Sequence, residues 1–425
     1  MPEPPTIAIP LDLPDVRVLR TTVTNDREVI IAVERTLTTT TCRRCGQTID
    51  ATYGEDRPIR LRHLPILGAL VYIEIRPKRF RCPFCDDHPT TTQQLVWYTP
   101  KAPSTKAYER HLLITRINRT IADVSQKEDT LPDAVLGVLD RWVDAEVDWA
   151  AVPAFAVLGI DEIARKKGHR DVVVIVTAQR PHGALHLLAV LPDRTTATVR
   201  TWLASIPTAV QRQIRTVCTD MWTAYVTAVE DVLPYAAIVI DRFHVAMHDR
   251  DAVDSLRKQE LKRIRKALPK AAADPCTHTL WPFRKRAADL EPDERDRLDR
   301  LLAHSPDLET AYDFREELTA IFDTTRSKAA GIRRITAWRR KVEASGLTCF
   351  APFLKLLDTW LDRIANSFRH HQNSGFVEGL NTKIKVLKRR CFGIYNLRHL
   401  FQRITLDLDG YRRFRPQPVP PAHEM

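Results

Sequence analysis

Apolar and polar positions follow two different rhythms along this chain, and the rhythm changes near residue 154. Beyond it come short β-branched runs, FAVLGID (155–161), DVVVIVTAQ (171–179) and ALHLLAVLP (184–192), the last two parted by the turn residues Pro181, His182 and Gly183. Each predicts a strand. TTATVRTWLASIP (195–207) predicts a helix whose threonines offer an N-cap. A fourth strand at IRTVCTD (214–220), a helix at MWTAYVTAVEDVLP (221–234) and a fifth strand at AAIVID (236–241) follow. From about 245 to 367 the pattern is helical and highly charged, as in SLRKQELKRIRKALPK, with no strand-like run. Before residue 154, REVIIAVER, RPIRLRHLP and ALVYIEIRPKRFR alternate as strands do. Residues 101–149 predict short amphipathic helices, AYERHLLITRINRTIADVSQ and DAVLGVLDRWVDAEV, around a turn at KEDTLP. The last stretch, RRFRPQPVPPAHEM, is proline-rich and expected to be disordered.

The order after residue 154, three strands and then helix, strand, helix, strand, is that of an RNase H-like fold. In that fold the first three strands run antiparallel and the others are added by crossovers. At 425 residues the chain has room for two to four domains with real cores, and 44% hydrophobic residues mark it as globular. A net charge of +12 and a pI near 9.4 favour a polyanionic partner. The longest uncharged apolar run, Ala150 to Ile160, is well short of the roughly 20 residues that span a bilayer. MPEPPTIAIPLDLPD lacks the basic start and apolar core of a secretory signal. The expectation is a cytoplasmic, nucleoid-associated protein with no membrane partner.

Cys42, Cys45, Cys82 and Cys85 form two CxxC pairs, CRRC and CPFC, which can close one tetrahedral zinc site across a loop that a three-stranded hairpin would fill. His63 and His88 are alternative fourth ligands. Cys218, Cys276, Cys349 and Cys391 read as buried small apolar residues. Between Arg57 and Arg81 seven Lys/Arg residues stand against the single Glu74, so Arg57, Arg60, Arg62, Arg76, Lys78 and Arg79 read as DNA-backbone contacts. RTIADVSQKEDTLPDAVLGVLDRW offers two short helices and a polar turn, as helix-turn-helix readers do, although its second helix carries Asp133, Asp140 and Asp144.

Asp161 ends the first predicted strand, Asp220 ends the fourth, and Glu378 opens a helix expected from about Val377 to Arg390. Two strand-end aspartates and a later helical glutamate can hold a pair of divalent cations for phosphodiester chemistry. Strand alternation turns Glu162 to the face opposite Asp161. Asp241 is the rival of Asp220; the strand-four carboxylate, which lies beside strand one in this fold, is favoured. Along the helix, Leu380, Ile384 and Leu387 form the apolar stripe while Glu378, Thr382, Lys385 and Arg389 share another face. Lys383, Lys385, Lys388, Arg389 and Arg390 then lie ready to hold phosphates. His244, in DRFH, is either close to the cations and the cut strand or a packing histidine.

The paired CRRC and CPFC with RHLP between them, GIDEIARKKGH, CTDMWTAYVTAVEDVLPYAAIVIDRFHVAMH and NSGFVEGLNTKIKVLKRRCFGIYNLRHLFQRI together resemble the ISL3 insertion-sequence family of DDE transposases, from about residue 40 to 405. The resemblance implies a multidomain α+β chain. Its expected parts are a leader with the zinc ribbon (1–95), a helix-turn-helix (96–150), an RNase H-like α/β catalytic core (151–245), an all-helical insertion (246–367), the last part of the core with the glutamate helix (368–412) and a disordered tail (413–425). It also implies an Asp161, Asp220 and Glu378 triad, two catalytic Mg²⁺ replaceable by Mn²⁺, one structural Zn²⁺, and cutting and joining at terminal inverted repeats by a dimer or larger assembly on DNA. The DRFH stretch resembles the C/DxxH signature of hAT-like and Mutator-like transposases. An RNase H-like nuclease or resolvase, and a zinc-dependent DNA-binding regulator derived from a transposase, are the alternatives.

Overall fold

The computed structural model describes residues 11, 13–24, 27–164, 171–179, 185–370, 375–390 and 396–415, with the backbone alone at 272, 275, 370, 375–381 and 388. The chain divides into two compact units, residues 1–143 with 406–425, and residues 144–405.

The first unit carries β1 (Val16–Val23), β2 (Glu28–Arg35), β3 (Thr40–Thr41), β4 (Thr48–Ile49), β5 (Thr52–Glu55), β6 (Ile59–Ile66), β7 (Ala69–Ile75), β8 (Lys78–Arg81) and β9 (Thr90–Thr92). The long interval between the cysteine pairs does not stay with them. Its hairpin β6–β7 joins the leader in a sheet of order β1-β2-β7-β6, in which β2 and β7 run parallel. The reason is apolar: Leu61, Val71, Ile73 and Ile75 are at most 1% exposed and pack with Ile31, Val33, Leu95 and Trp97. Of the rest of the interval, β4 pairs with β3, and β5 and β8 pair with β9 as a separate three-stranded sheet.

Three helices follow, α1 (Lys106–Arg116), α2 (Ile121–Lys127) and α3 (Pro132–Trp142). The sequence reads α1 and α2 as one helix. Asn118, at φ 60°, breaks them apart, and Thr120 starts α2 by a capping box with Asp123. Leu112, Leu113, Val124, Val135 and Leu139 bury one shared face.

The second unit is built on β10 (Val157–Ala164), β11 (Val172–Gln179), β12 (Leu185–Leu191), α4 (Thr196–Ser205), α5 (Thr208–Gln211), β13 (Thr216–Thr219), α6 (Thr223–Val232) and β14 (Ala237–Ile240). The sheet order is β12-β11-β10-β13-β14. β11 lies antiparallel to both β10 and β12, whereas β13 and β14 are added parallel to β10. The strands are almost wholly buried, as runs of β-branched residues require when helices cover a sheet.

The helices after β14 are α7 (Arg242–Ala267), α8 (Lys270–Ala273), α9 (Leu280–Arg284), α10 (Pro292–Leu302), α11 (Pro306–Thr324), α12 (Lys328–Ala344), α13 (Ala351–Ala365), α14 (Ser367–His370), α15 (Gly375–Arg390) and α16 (Leu397–Phe414). Of these, α7 to α14 share one hydrophobic core with the sheet: the cluster that holds Leu158 and Val217 continues through Leu308, Trp338 and Phe353 to Phe368. Trp338 is fully buried, with its indole N–H donating to the Phe314 carbonyl at 2.8 Å. Gly331 is required where Phe368 crosses α12, because a Cβ there would meet the ring at 2.1 Å. Asn366 donates to the Ile238 carbonyl of β14 at 2.7 Å, and α15 lies against β10. Among the described residues no helix is long and apolar enough to cross a membrane.

Candidate active site

The register of the parallel strands decides which carboxylates meet. Pairing of β10 with β13 ends at Ile160 and Thr219, and pairing of β13 with β14 ends at Thr219 and Ile240. The next residue on each strand is an aspartate: Asp161, Asp220 and Asp241. Residues in register on parallel neighbours share a face, so the three stand abreast at the carboxyl edge of the sheet, where open α/β sheets bind ligands. They line a cavity of 340 Å³ with Glu162, Phe243, His244, His248 and Lys385 among its other walls. Asp241 and Asp220 are thus companions at one site.

Asp241 also starts α7. Its carboxylate accepts the Phe243 backbone N–H at 2.8 Å, and this turn brings His244 over the cavity. Asp161 and Asp241 are buried. Burial raises the pKa of Asp161, and the nearby Asp241 and Glu162 add to the rise while His244 opposes it. Burial likewise pushes Asp220 up to about 7, with His244 again opposing and Asp161 and Glu162 adding. Asp220 Oδ1 is buried with no hydrogen-bond partner among the described residues. A crowded acidic edge with an unsatisfied acceptor fits a bound divalent cation, which would supply the missing positive charge.

Glu162 is the departure from simple strand alternation. Its carboxylate reaches the cavity wall but is already engaged: Arg194 Nη1 donates to its two oxygens at 3.0 and 2.9 Å, and the Tyr225 hydroxyl donates at 3.5 Å. Arg194 in turn stacks 4.0 Å over the Trp222 ring, whose N–H donates to the Arg194 carbonyl. Sequence reasoning missed Arg194, Trp222 and Tyr225. Arg194 stands just before one predicted helix, and Trp222 and Tyr225 in the first turns of the next, which gives no signal of a site.

These shifts set a pH dependence. A carboxylate whose folded pKa exceeds its unfolded value near 3.8 costs nothing below that pH and destabilises the fold once it must ionise, from there up to about 7 for Asp220. Cation-free protein is therefore expected to lose more stability than Asp220→Asn protein between about pH 4 and pH 7, by on the order of a few kcal/mol. Mg²⁺ should raise the melting temperature more at the higher pH. Thermal unfolding with and without the ion checks this, and equal pH profiles for the two proteins would refute it.

Lys385, exposed on α15, is the one proposed phosphate contact that lines the cavity among the described side chains; Arg389 and Arg390 are exposed further along the helix, and Lys383 is half-buried. Ile384 and Leu387 are buried, as the apolar stripe requires. The helix contains Glu378, but the side chains of Glu378, Leu380 and Lys388 lie outside the described residues.

The cysteine pairs make a second constellation. The sulfurs of Cys42, Cys45, Cys82 and Cys85 all lie within 4.8 Å of one another, with Cys45 and Cys82 at 3.6 Å. Four thiolates about 2.3 Å from a zinc ion would have their sulfurs roughly 3.8 Å apart, so the cluster fits that metal. Backbone N–H groups of Cys45 and Arg44 draw Cys42 down to about 6, whereas burial and the neighbouring thiols push Cys85 up to about 12. Without a cation the four cannot ionise together. His88 turns its Nδ1 to the Cys82 carbonyl at 3.0 Å, and buried His63 pairs with the Thr105 hydroxyl at 2.9 Å. Neither joins the cluster.

Of the basic residues proposed for DNA, Arg57 and Arg76 are exposed, while Lys78 and Arg79 are half-buried. Arg60 is paired with Glu28 at 2.7 Å, and half-buried Arg62 donates to the Tyr72 hydroxyl at 3.2 Å.

Comparison with known proteins bears on both parts of the chain. Residues 38–85 match the model for the zinc-finger of transposase IS204/IS1001/IS1096/IS1165. The transposase for insertion sequence element IS1001 of Bordetella parapertussis is 28% identical over 400 residues, covering 91% of this chain and 93% of that protein. The transposase for insertion sequence element IS1557 of Mycobacterium tuberculosis is 24% identical over 88% of this chain and 87% of its own length. Residues 158–404, more than half of the chain, match the transposase model of the ISL3 DDE group, so the chain belongs to the ISL3 family of DDE transposases and is a transposase of insertion-sequence elements.

Proposed function

We propose that the chain binds the terminal inverted repeats of its element, cuts there, and joins the freed 3′-hydroxyl to target DNA by in-line displacement, with no covalent protein–DNA intermediate. Asp161, Asp220 and Glu378 would hold two Mg²⁺ ions, replaceable by Mn²⁺. Bound there, such a pair activates a water or hydroxyl and stabilises the leaving oxygen of a phosphodiester. The observation that carries this reading is the 340 Å³ cavity shared by Asp161, Asp220 and Lys385, with a buried Asp220 oxygen that no group among the described residues satisfies. Lys385 stands seven residues after position 378, and helical periodicity puts both positions on one stripe of α15. Lys385, with Lys383, Lys388, Arg389 and Arg390, would neutralise phosphates of the bound strand, and His244 would touch the strand being cut.

The strand order, antiparallel on one side of β10 and parallel on the other, supports an RNase H-like core around the site. Helices α2 and α3 are the proposed helix-turn-helix. Cutting both ends together calls for at least a dimer on DNA in the nucleoid.

The test is Mg²⁺-dependent cleavage and strand joining on DNA carrying the element's ends, with Glu378→Gln alongside. Joining by the wild type and binding without cutting by the variant are expected. Cutting without joining would favour a nuclease or resolvase. Binding alone by both proteins would leave a DNA-binding regulator.

A further inference from the structure

The two hairpin strands rich in arginine are not equivalent. In β6 the guanidinium groups already have partners within the unit, although Arg60 itself is exposed. Arg60 lies 3.9 Å over the Tyr72 ring and pairs with Glu28. Arg62 is sandwiched between Tyr72 and Tyr108, 5.3 Å from each ring centre.

The small sheet β5-β8-β9 is built the other way. Phe80 of β8 is fully buried and Thr91 of β9 nearly so, and Phe80 packs with Ile49, Cys42 and Cys82 on the face braced by the thiol cluster. By strand alternation Arg79 and Arg81 point out of the opposite face, and their register partners Thr92 and Thr90 point out beside them. On the third strand the register shifts between Thr52 and Gly54, so Tyr53 is the extra residue of a β-bulge. Gly54, at φ +129°, takes a backbone conformation that side chains resist. The bulge leaves Tyr53 56% exposed, with the Arg79 and Arg81 guanidinium carbons 5.7 and 5.9 Å from its ring centre.

One face therefore carries two arginines flanking an aromatic plate, with hydroxyls alongside and the thiol-braced core beneath. Arg79 also donates to the Thr90 hydroxyl at 2.7 Å. The nearby Asp56 carboxylate accepts from the Arg57 N–H and the Thr92 hydroxyl, each at 2.9 Å, while Glu55 pairs across from Lys78 at the strand end. Two guanidinium groups two residues apart along a strand, about 7 Å, suit consecutive phosphates, and Arg and Thr are the usual donors to a DNA backbone. We propose that Tyr53, Arg79 and Arg81 form the ribbon's docking surface for the sugar–phosphate backbone of duplex DNA, and that the β6 arginines are structural. This rests on the reading of the chain as a DNA-binding transposase and names the surface that reading leaves open.

The test measures affinity of the full chain for a duplex carrying an element end and for an unrelated duplex, across a series of salt concentrations. Replacing both arginines (Arg79→Gln with Arg81→Gln) should reduce the slope of log affinity against log salt by about 2 on both duplexes, and weaken binding by about 10- to 100-fold near 0.1 M salt. Tyr53→Ala should weaken binding about 2- to 5-fold at unchanged slope. Arg60→Gln should leave the slope alone. Zinc content monitors folding of the ribbon, and if the glutamine pair releases metal, the Arg79→Lys with Arg81→Lys pair should keep the wild-type slope and Tyr53→Ala the weakened binding. An unchanged slope in the glutamine pair, with metal-dependent cleavage intact, overturns the surface and spares the transposase reading. Absence of salt-dependent DNA binding by the wild type overturns both.

Discussion

Asp220→Asn is expected to abolish DNA cutting and joining, by at least about 10³-fold, while leaving duplex affinity at the wild-type level. The substitution keeps size and shape and removes one negative charge from a buried edge. Burial and the neighbouring Asp161 and Glu162 make that charge costly to hold, and its Oδ1 finds no donor among the described residues. A fold keeps such a group where a ligand satisfies it. Loss of charge should therefore weaken cation binding and relieve the cation-free protein together. Calorimetric titration of Mn²⁺, read beside strand cleavage and gel-shift affinity, separates these effects. A variant that cuts within about tenfold of wild type would remove Asp220 from the chemistry and turn attention to Asp241, which stands in register beside it and caps α7.

Cys82→Ser should have the second largest effect. It takes one thiol from a cluster in which all four sulfurs lie within 4.8 Å, and Cys42 and Cys82 are also part of the small core with Ile49 and Phe80. The free energy of binding a structural zinc in a small module, on the order of 10 kcal/mol or more, is largely its folding free energy. The variant is expected to hold less than one zinc per chain, to expose the β5-β8-β9 sheet to proteolysis, and to lose most affinity for duplex DNA. Stoichiometric zinc and a protease-resistant ribbon in Cys82→Ser would show that the thiols do not depend on a metal. The second unit has its own sheet and core, so its melting transition is expected to persist.

Much of the architecture is local and was readable residue by residue. Unbroken apolar runs rich in Val and Ile marked β10 to β14, because a strand buried on both faces has few polar positions to spare. Two CxxC pairs marked the thiol cluster, because metal-ligand spacing survives any loop between the pairs. Helical periodicity located α15 to within two residues of its start. The break between α1 and α2 was missed, since both flanks continue the apolar stripe and only the backbone angle at Asn118 ends the helix.

Pairing across the chain lay beyond that reading, for a common physical reason. Asp220 and Asp241 each follow an apolar strand and look alike in sequence; it is the parallel register of β10, β13 and β14 that brings both to the cavity with Asp161. Glu162 shows the same limit, because alternation gives its face but not the Arg194 that holds its carboxylate at the wall. The basic stretch from Arg57 to Arg81 is one run of charge in sequence and two surfaces in space. Apolar side chains pulled β6 and β7 into a sheet with β2, away from the thiol cluster, and the arginines went with their strands. Periodicity and ligand spacing are properties of neighbouring residues, so the chain declares them directly. Which groups share a cavity or a face depends on strand register and on the burial of distant apolar surface, and those are settled only when the whole chain packs.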